Sequence, residues 1–439
     1  MLLLPTQYYA AGGALAVAAS FVVLALLRPE PLARMGERRI LLGKIPFDGR
    51  ASVSFLSFLL LLVLLYAGVS GSRDPLANPL PLTIWTLFWV GLTLAHGLLG
   101  NLWAWLNPWY GPWRLLAELT GREDGWFRLP EKLDLRPAVL LLFAYAWFEL
   151  VYIAPDDPAR LAAAVLAYWL FTFAGICLFG FDAWTGRMEF FSVFFRMLSR
   201  LAILEARRKA GGFDLSLGLP GGKLIHADPL PLSGVAFLLM ALSSVSFDGF
   251  MRTFFWLGLI GINPLEFPGR SAVIAENTVG LVTMFAALGA VFALAVWMGE
   301  RLAGGRDFRR AAGLFVWSIV PIALAYHFSH YLTALLVNGQ YALAALSDPF
   351  FRGWDLFGTA IVHVQAGIAL GADSAWAIWN AQAAAIIGGH VLAVAIAHMI
   401  AFRLHGSGRR AALSQLPMTV LMVGYTVFGL WLLSTPTGG

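Results

Sequence analysis

Apolar residues run along this chain in continuous blocks of about 20, separated by short segments that hold most of its charge. A helix rising 1.5 Å per residue needs about 20 apolar residues to cross the hydrocarbon of a bilayer. The blocks therefore predict transmembrane helices. A membrane barrel is excluded, because its strands would alternate apolar and polar residues at every second position. Ten spans are expected, at about 8–27, 52–70, 82–106, 137–154, 159–181, 231–248, 271–299, 311–337, 376–402 and 416–434. The predicted fold is all-α, a polytopic transmembrane helical bundle in a single domain, 1–439.

Composition agrees. Of the 439 residues, 59% are hydrophobic and only 13% charged, against roughly 25% charged in a soluble domain. That leaves no room for a soluble enzyme, a disordered chain or a disulfide scaffold. The single cysteine, Cys177, can form neither an internal disulfide nor a thiolate cluster. The start of the chain lacks a basic n-region, so the first helix is expected to be retained rather than cleaved.

Charge then sets the topology. Of the 30 lysines and arginines, 25 fall in alternate loops and five in the opposite set: Arg73, Arg160, Arg252, Arg270 and Arg352. The positive-inside rule puts both termini outside, and a bacterial inner membrane is the expected location. The net charge of +5 is thus topological, and nucleic acid is not an expected partner.

Three segments break the pattern. Segment 184–208 mixes Phe, Leu and Arg at helical spacing and predicts an amphipathic helix on the cytoplasmic surface. Segment 250–263 is too short to span and predicts an outer interfacial or re-entrant helix, ended by Asn263-Pro264. Beyond the turn at Ser347-Asp348-Pro349, a helical stretch is expected near Leu356–Leu370.

Ionisable groups at membrane depth are costly and mark candidate sites. The predicted spans place Glu149, Glu276, His327, His330 and His390 in one layer of the outer half. His327 and His330 are three apart, on one helix face. Three imidazoles and two carboxylates suit a transition metal: Zn, Fe or Cu. The Glu-x-x-His signature of di-metal bundles is absent. Haem held by His327 or His330 opposite His390 is a lesser reading, since no second histidine pair matches it. The plainer explanations carry comparable weight. His96 and His398 equally suit hydrogen bonds to backbone or a neighbouring helix. Asp248 and Arg252, four apart, suit a local ion pair. Glu276 suits a partner in Arg270 or Arg252, Asn277 adjoins it, and His363 either caps the site or faces water.

The segments GNLWAWLNPWYGPWRLL (100–116), SVSFDGF (244–250), AYHFSHYLTALLVNGQ (325–340), SDPFFRGWDLFGT (347–359) and GGHVLAVAIAH (388–398) resemble the bacterial integral-membrane proteins labelled fenitrothion hydrolase-like. The resemblance runs over most of the chain. It implies a multi-span inner-membrane protein, hydrolysis of an organophosphate-type ester, and a second membrane chain as partner. It also implies His330, His390 and His398 as the recurrent histidines, with His327 less firmly matched.

The expectation is an integral-membrane metalloprotein with a His/carboxylate site on the outer side, acting on a small lipophilic ester that enters from the bilayer. The metal would sit on His327, His330 and His390, with His398 a further candidate. Glu276 or Glu149 would serve as ligand or general base. The alternative is a proton- or metal-coupled transporter, against which stands the lack of an inverted repeat or of matched Gly/Pro-broken spans. A third reading is a membrane subunit of a larger complex or a homo-oligomer, docking through segment 182–230.

Overall fold

The computed structural model describes residues 6–27, 38–209, 212–266, 269–369 and 371–435. Ten principal helices follow one another: α1 (Thr6–Leu26), α2 (Arg50–Ser70), α3 (Pro79–Leu99), α4 (Arg136–Leu150), α5 (Pro158–Phe179), α6 (Leu232–Met251), α7 (Ile274–Ala303), α8 (Phe308–Ser347), α9 (Ala372–His405) and α10 (Gly408–Ser434). Among the described residues nine helices are long and apolar enough to cross a membrane. The remaining one, α4, has 15 residues. At 1.5 Å per residue it covers only about 22 Å. The chain is a multi-pass membrane protein.

Exposure separates the helices into two classes. Most of α6 and α8 is buried inside the bundle, whereas α1, α2, α5, α7 and α10 turn apolar side chains outward. In water such a surface would be untenable; in lipid it is the expected exterior. Within this shell α8 packs on α9, α6 and α3, and α10 packs on α1, α7 and α9.

Two of the inner helices are irregular. The centre of α3, Leu82–Leu92, is wound as a π-helix between short α-helical ends. In α8 a 3₁₀ turn at Val316–Ser318 separates Phe308–Phe315 from Ile319–Ser347. The two irregular helices pack against each other. Asn78 starts α3: its side chain accepts from the Leu80 amide at 3.0 Å and donates to the carbonyls of Ala67 and Ser72, tying it to the end of α2. Gly100, at φ 91°, stops it. The expected span 82–106 is accordingly split, with Trp103–Leu106 a separate turn.

Among the described residues one small sheet interrupts the all-α plan. Strands β1 (Arg39–Ile45), β2 (Leu204–Lys209) and β3 (Gly212–Gly218) pair antiparallel in the order β1-β3-β2. It joins the segment after α1 to the segment after α5, so these two basic loops lie on one side of the bundle. That side is the sheet face of the bundle.

Segment 184–208 is therefore not one surface helix. It forms helices Phe181–Arg187 and Phe190–Leu198, a 3₁₀ turn, and then β2. Phe190, Phe194, Phe195 and Leu198 are buried in the main core. The cause is the buried carboxylate of Glu189, which caps Phe190–Leu198 through the amides of Phe191 and Ser192 and accepts from the Tyr168 hydroxyl. Segment 250–263 is likewise shorter than expected: α6 continues to Met251, and only Phe254–Leu259 is helical, capped by Thr253. In the stretch 356–369 only Ala366–Ala369 winds, as a 3₁₀ turn; residue 370 lies outside the described residues.

Candidate functional site: a buried carboxylate, imidazole and phenol cluster

The side chains with chemistry meet where the ends of α4 and α6 reach the middle of α8, on the face opposite the sheet. Asp248, in the last turn of α6, is 1% exposed. Its Oδ1 accepts from Arg252 one turn on, at 3.1 Å from Nε and 2.9 Å from a terminal nitrogen. Its Oδ2 stands 2.7 Å from Nε2 of His330 and accepts from the Tyr331 hydroxyl at 2.9 Å. The same hydroxyl lies 3.0 Å from Oε1 of Glu149, near the end of α4. Arg270 closes the group from outside, donating to the carbonyls of Glu149 and Tyr152. Arg252 is half exposed and His330 is 24% exposed, so the cluster runs from the surface inward.

A phenol carries one proton. It can donate to Asp248 or to Glu149, not to both. For both contacts to be hydrogen bonds, one carboxyl must bring a proton of its own. The chain His330–Asp248–Tyr331–Glu149 is thus a path along which a proton can change owner by small movements. Beside it lies a void of about 30 Å³, lined by His330, Gly249, Tyr326 and Ser329 among others. It is roomy enough for one water, which needs about 10–15 Å³ by that measure.

The other histidines point elsewhere, and His390 keeps a buried Nε2 without a partner among the described residues. His327 is buried, with Nε2 3.0 Å from the Trp89 carbonyl in the π-helical part of α3 and its ring edge-on to the Trp89 indole. His390 bonds its own helix, Nδ1 to the Ile386 carbonyl at 2.8 Å, and its ring neighbours are Tyr326 and Tyr425. His398 pairs with Gln415 at 3.0 Å. His96 is fully satisfied: Nδ1 meets the Leu92 carbonyl, Nε2 accepts from the Trp103 amide, and the ring stacks on Phe195. His363 and Glu276 are exposed. Asn277 accepts from the Trp256 indole.

Of the expected site residues, then, the structure gathers Asp248, Arg252, His330 and Glu149. It disperses His390 and His398, leaves Glu276 outside, and turns the Nε2 of His327 away from the cluster although its ring touches Tyr331. A tightly held transition metal needs three or four converging donors. Among the described residues no three His, Cys, Asp or Glu side chains converge in that way. The i,i+3 histidines do share a helix face, since both rings touch Tyr331. Their Nε2 atoms are nevertheless turned to different partners, one to a backbone carbonyl and one to a carboxylate. The residues present do not fit the expected metal centre. Nor does the haem pairing fit, as the Nε2 atoms of His327 and His330 are both turned to other partners.

Tyr331 is the residue that sequence reasoning passed over. It is uncharged, and a search for ionisable groups at membrane depth does not flag it. The available signal was its place in YHFSHY, adjacent to His330 and one turn beyond His327.

No family model, no curated protein and no solved structure matches the chain.

Proposed function

We propose that the protein is a proton-coupled transporter of the bacterial inner membrane, with His330, Asp248, Tyr331 and Glu149 as its proton-handling group. One observation carries this reading: the Tyr331 hydroxyl lies within hydrogen-bond distance of two carboxylates, one of which also holds His330. Buried ionisable groups within a bundle are expensive, and proton relays in pumps and transporters are built from such chains. The paired irregular helices α3 and α8 add support, because transporter sites form where helices are broken. Neither break is made by a matched Gly or Pro pair, so neither was visible as a pattern in the sequence. In this reading Arg252 and Arg270 keep the group near electrical balance, and the partial exposure of His330 gives the proton its exit. With the positive-inside rule the cluster opens to the outer side and both termini lie there.

A second reading is favoured by the water-sized void beside His330. A carboxylate that orients an imidazole next to a water is a general-base arrangement, and it would serve a metal-independent hydrolase of a lipophilic ester. One preparation tests both. The full-length protein in liposomes loaded with a pH-sensitive dye is given a pH gradient, and p-nitrophenyl ester cleavage is followed in the same vesicles. Transport predicts proton flux above that of empty vesicles, slowed at least tenfold by Tyr331→Phe, with no ester cleavage. Cleavage lost in His330→Ala, without proton flux, replaces the first reading by the second. Neither activity rejects both.

A further inference from the structure

Beyond the charged cluster, the bundle contains a cavity of about 350 Å³ between α2, α3, α4 and α5. That is within the range of small-molecule sites, about 300–1,000 Å³. It exists because α4 and α5, consecutive in sequence, do not pack along each other. Instead α4 lies on α6 and on Phe190–Leu198, while α5 lies on α2. The gap between them is open rather than enclosed, and Ala144 on its α4 wall is exposed. Phe190, Phe191 and Trp103 close it toward the sheet face. Its walls follow α5 from Leu161 to Trp169 and α4 from Leu141 to Phe148, a height of about 10–12 Å at 1.5 Å per residue. The shape is a slot along the helices.

The chemistry of the walls is narrow. No charged residue and no histidine lines the slot, and its surface is almost wholly apolar, much of it aromatic. Three residues that line it, Tyr145, Trp103 and Thr83, each carry a buried hydroxyl or indole N–H with no hydrogen-bond partner among the described residues. All three can donate, and the indole can only donate. An unpaired buried donor is costly, and an acceptor brought in from outside the chain would satisfy these three. Around Tyr145 the rings of Trp85, Trp89 and Phe190 hold the phenol in place.

We propose that this slot binds an uncharged membrane lipid: a hydrocarbon chain bearing a carbonyl, of ester or quinone type, which takes a hydrogen bond from Tyr145 or Trp103. A charged head is excluded by the lining, and a chain without an acceptor would leave the donors unpaired. The ligand enters sideways from the bilayer between α4 and α5. The site is separate from the proton-handling group and stands whether or not that group drives transport.

The test uses the full-length protein in phosphatidylcholine–phosphatidylglycerol vesicles and a long-chain fatty acid methyl ester carrying a diazirine near the end of its chain. After irradiation, the labelled peptides are mapped by mass spectrometry. Label is expected on α4 and α5 at the slot. Ala144→Trp, which fills the slot, should lower it at least tenfold. Ala164→Leu, a milder filling on the opposite wall, should lower it several-fold if the tryptophan variant does not fold. Val63→Trp, on the outer side of α2, should leave it unchanged. Tyr145→Phe combined with Trp103→Phe should weaken labelling by the ester several-fold while sparing a diazirine hydrocarbon without a carbonyl. Competition by an unlabelled isoprenoid quinone or by a diacylglycerol identifies which carbonyl lipid the slot prefers. The proposal is overturned if label spreads evenly over α1, α7 and the other lipid-facing helices, if Ala144→Trp and Ala164→Leu change nothing, or if neither lipid competes.

Discussion

Asp248 and His330 meet at 2.7 Å across two buried helices, and Arg252 holds the other oxygen of the same carboxylate. The pair fixes the approach of α6 to α8. Removing the carboxylate would leave a guanidinium and an imidazole facing each other without a counter-charge. Breaking a fully buried pair costs about 3–5 kcal/mol, and the solvent that reaches Arg252 and His330 brings the cost here below that. Asp248→Ala is therefore expected to lower the melting temperature sharply, whereas Asp248→Asn keeps the shape and retains more of the fold. Thermal unfolding followed by tryptophan fluorescence in detergent distinguishes the two. Equal stability of Asp248→Ala and wild type would show that the pair contributes nothing.

Tyr331→Phe separates stability from function. The ring stays, with its contacts to His327 and His330, and only the hydroxyl between the two carboxyls is lost. Losing hydrogen bonds to charged groups costs about 1–3 kcal/mol. The folded protein should be obtained in good yield. In contrast, proton transfer between Glu149 and Asp248 should fall at least tenfold, seen as slower flux in dye-loaded vesicles. Unchanged flux would mean that the phenol only packs.

The two histidines expected to act together should behave differently. His330→Ala removes a member of the cluster and should abolish flux. His390→Leu removes a ring whose one protein hydrogen bond is to its own helix at Ile386, and both flux and melting temperature should stay near wild type. Elemental analysis of the two purified variants adds an independent check. A stoichiometric metal present in wild type and lost in both would restore the metal reading.

How much of this could be read from the chain alone follows from the range of the forces involved. The spans were legible because membrane insertion is decided within each stretch of about 20 residues. Ten spans were expected and nine helices qualify among the described residues; the expected span 137–154 is a helix, α4, of only 15 residues. Asp248, Arg252, Glu149 and His330 were legible because an ionisable group in an apolar run is conspicuous on its own. Their grouping was not, since it depends on how far α6 and α8 rotate about their axes, and a shared depth admits several rotations. His327 shows this: it sits one turn from Tyr331, yet its nitrogen faces the Trp89 carbonyl of a π-helical segment that no residue pattern announced. The sheet escaped notice for the opposite reason. β1 and β3 are some 170 residues apart in the sequence, and neither alternates clearly enough to stand out among helices.

Gly429 is predicted to be intolerant of any side chain. A Cβ there would collide with the hydroxyl of Tyr326, which donates to the Tyr425 carbonyl at 2.6 Å. Tyr425 in turn meets Ser246 of α6 through its own hydroxyl. Gly429→Ala must push Tyr326 out of this position, and overpacking of that kind costs about 1–3 kcal/mol. Gly424→Ala, on the same helix with open space around it, is the matched control. A melting temperature lowered in the first and unchanged in the second is expected. Equal values would show that Tyr326 is free to move aside.

The loop after α8 is expected to loosen in acid through Asp355. This carboxylate accepts from the backbone amide of Ala360 at 3.0 Å and from the Ser347 hydroxyl at 2.8 Å, and these bonds hold it below the ordinary carboxylate value. Because the folded value is depressed, the stabilisation is fully present above the unfolded value of about 3.9 and is lost as the pH falls through the folded one. The loop should thus be tight at neutral pH and open only in strong acid, well after exposed carboxylates without such partners have titrated. Hydrogen exchange at the Phe357 and Ala360 amides reads this directly, since Ser347 and Asp355 hold them. Asp355→Asn should raise exchange at both amides at neutral pH and flatten the acid dependence. Protection that survives in the variant would show that the loop is held by other contacts, such as the Thr359 hydroxyl on the Leu343 carbonyl.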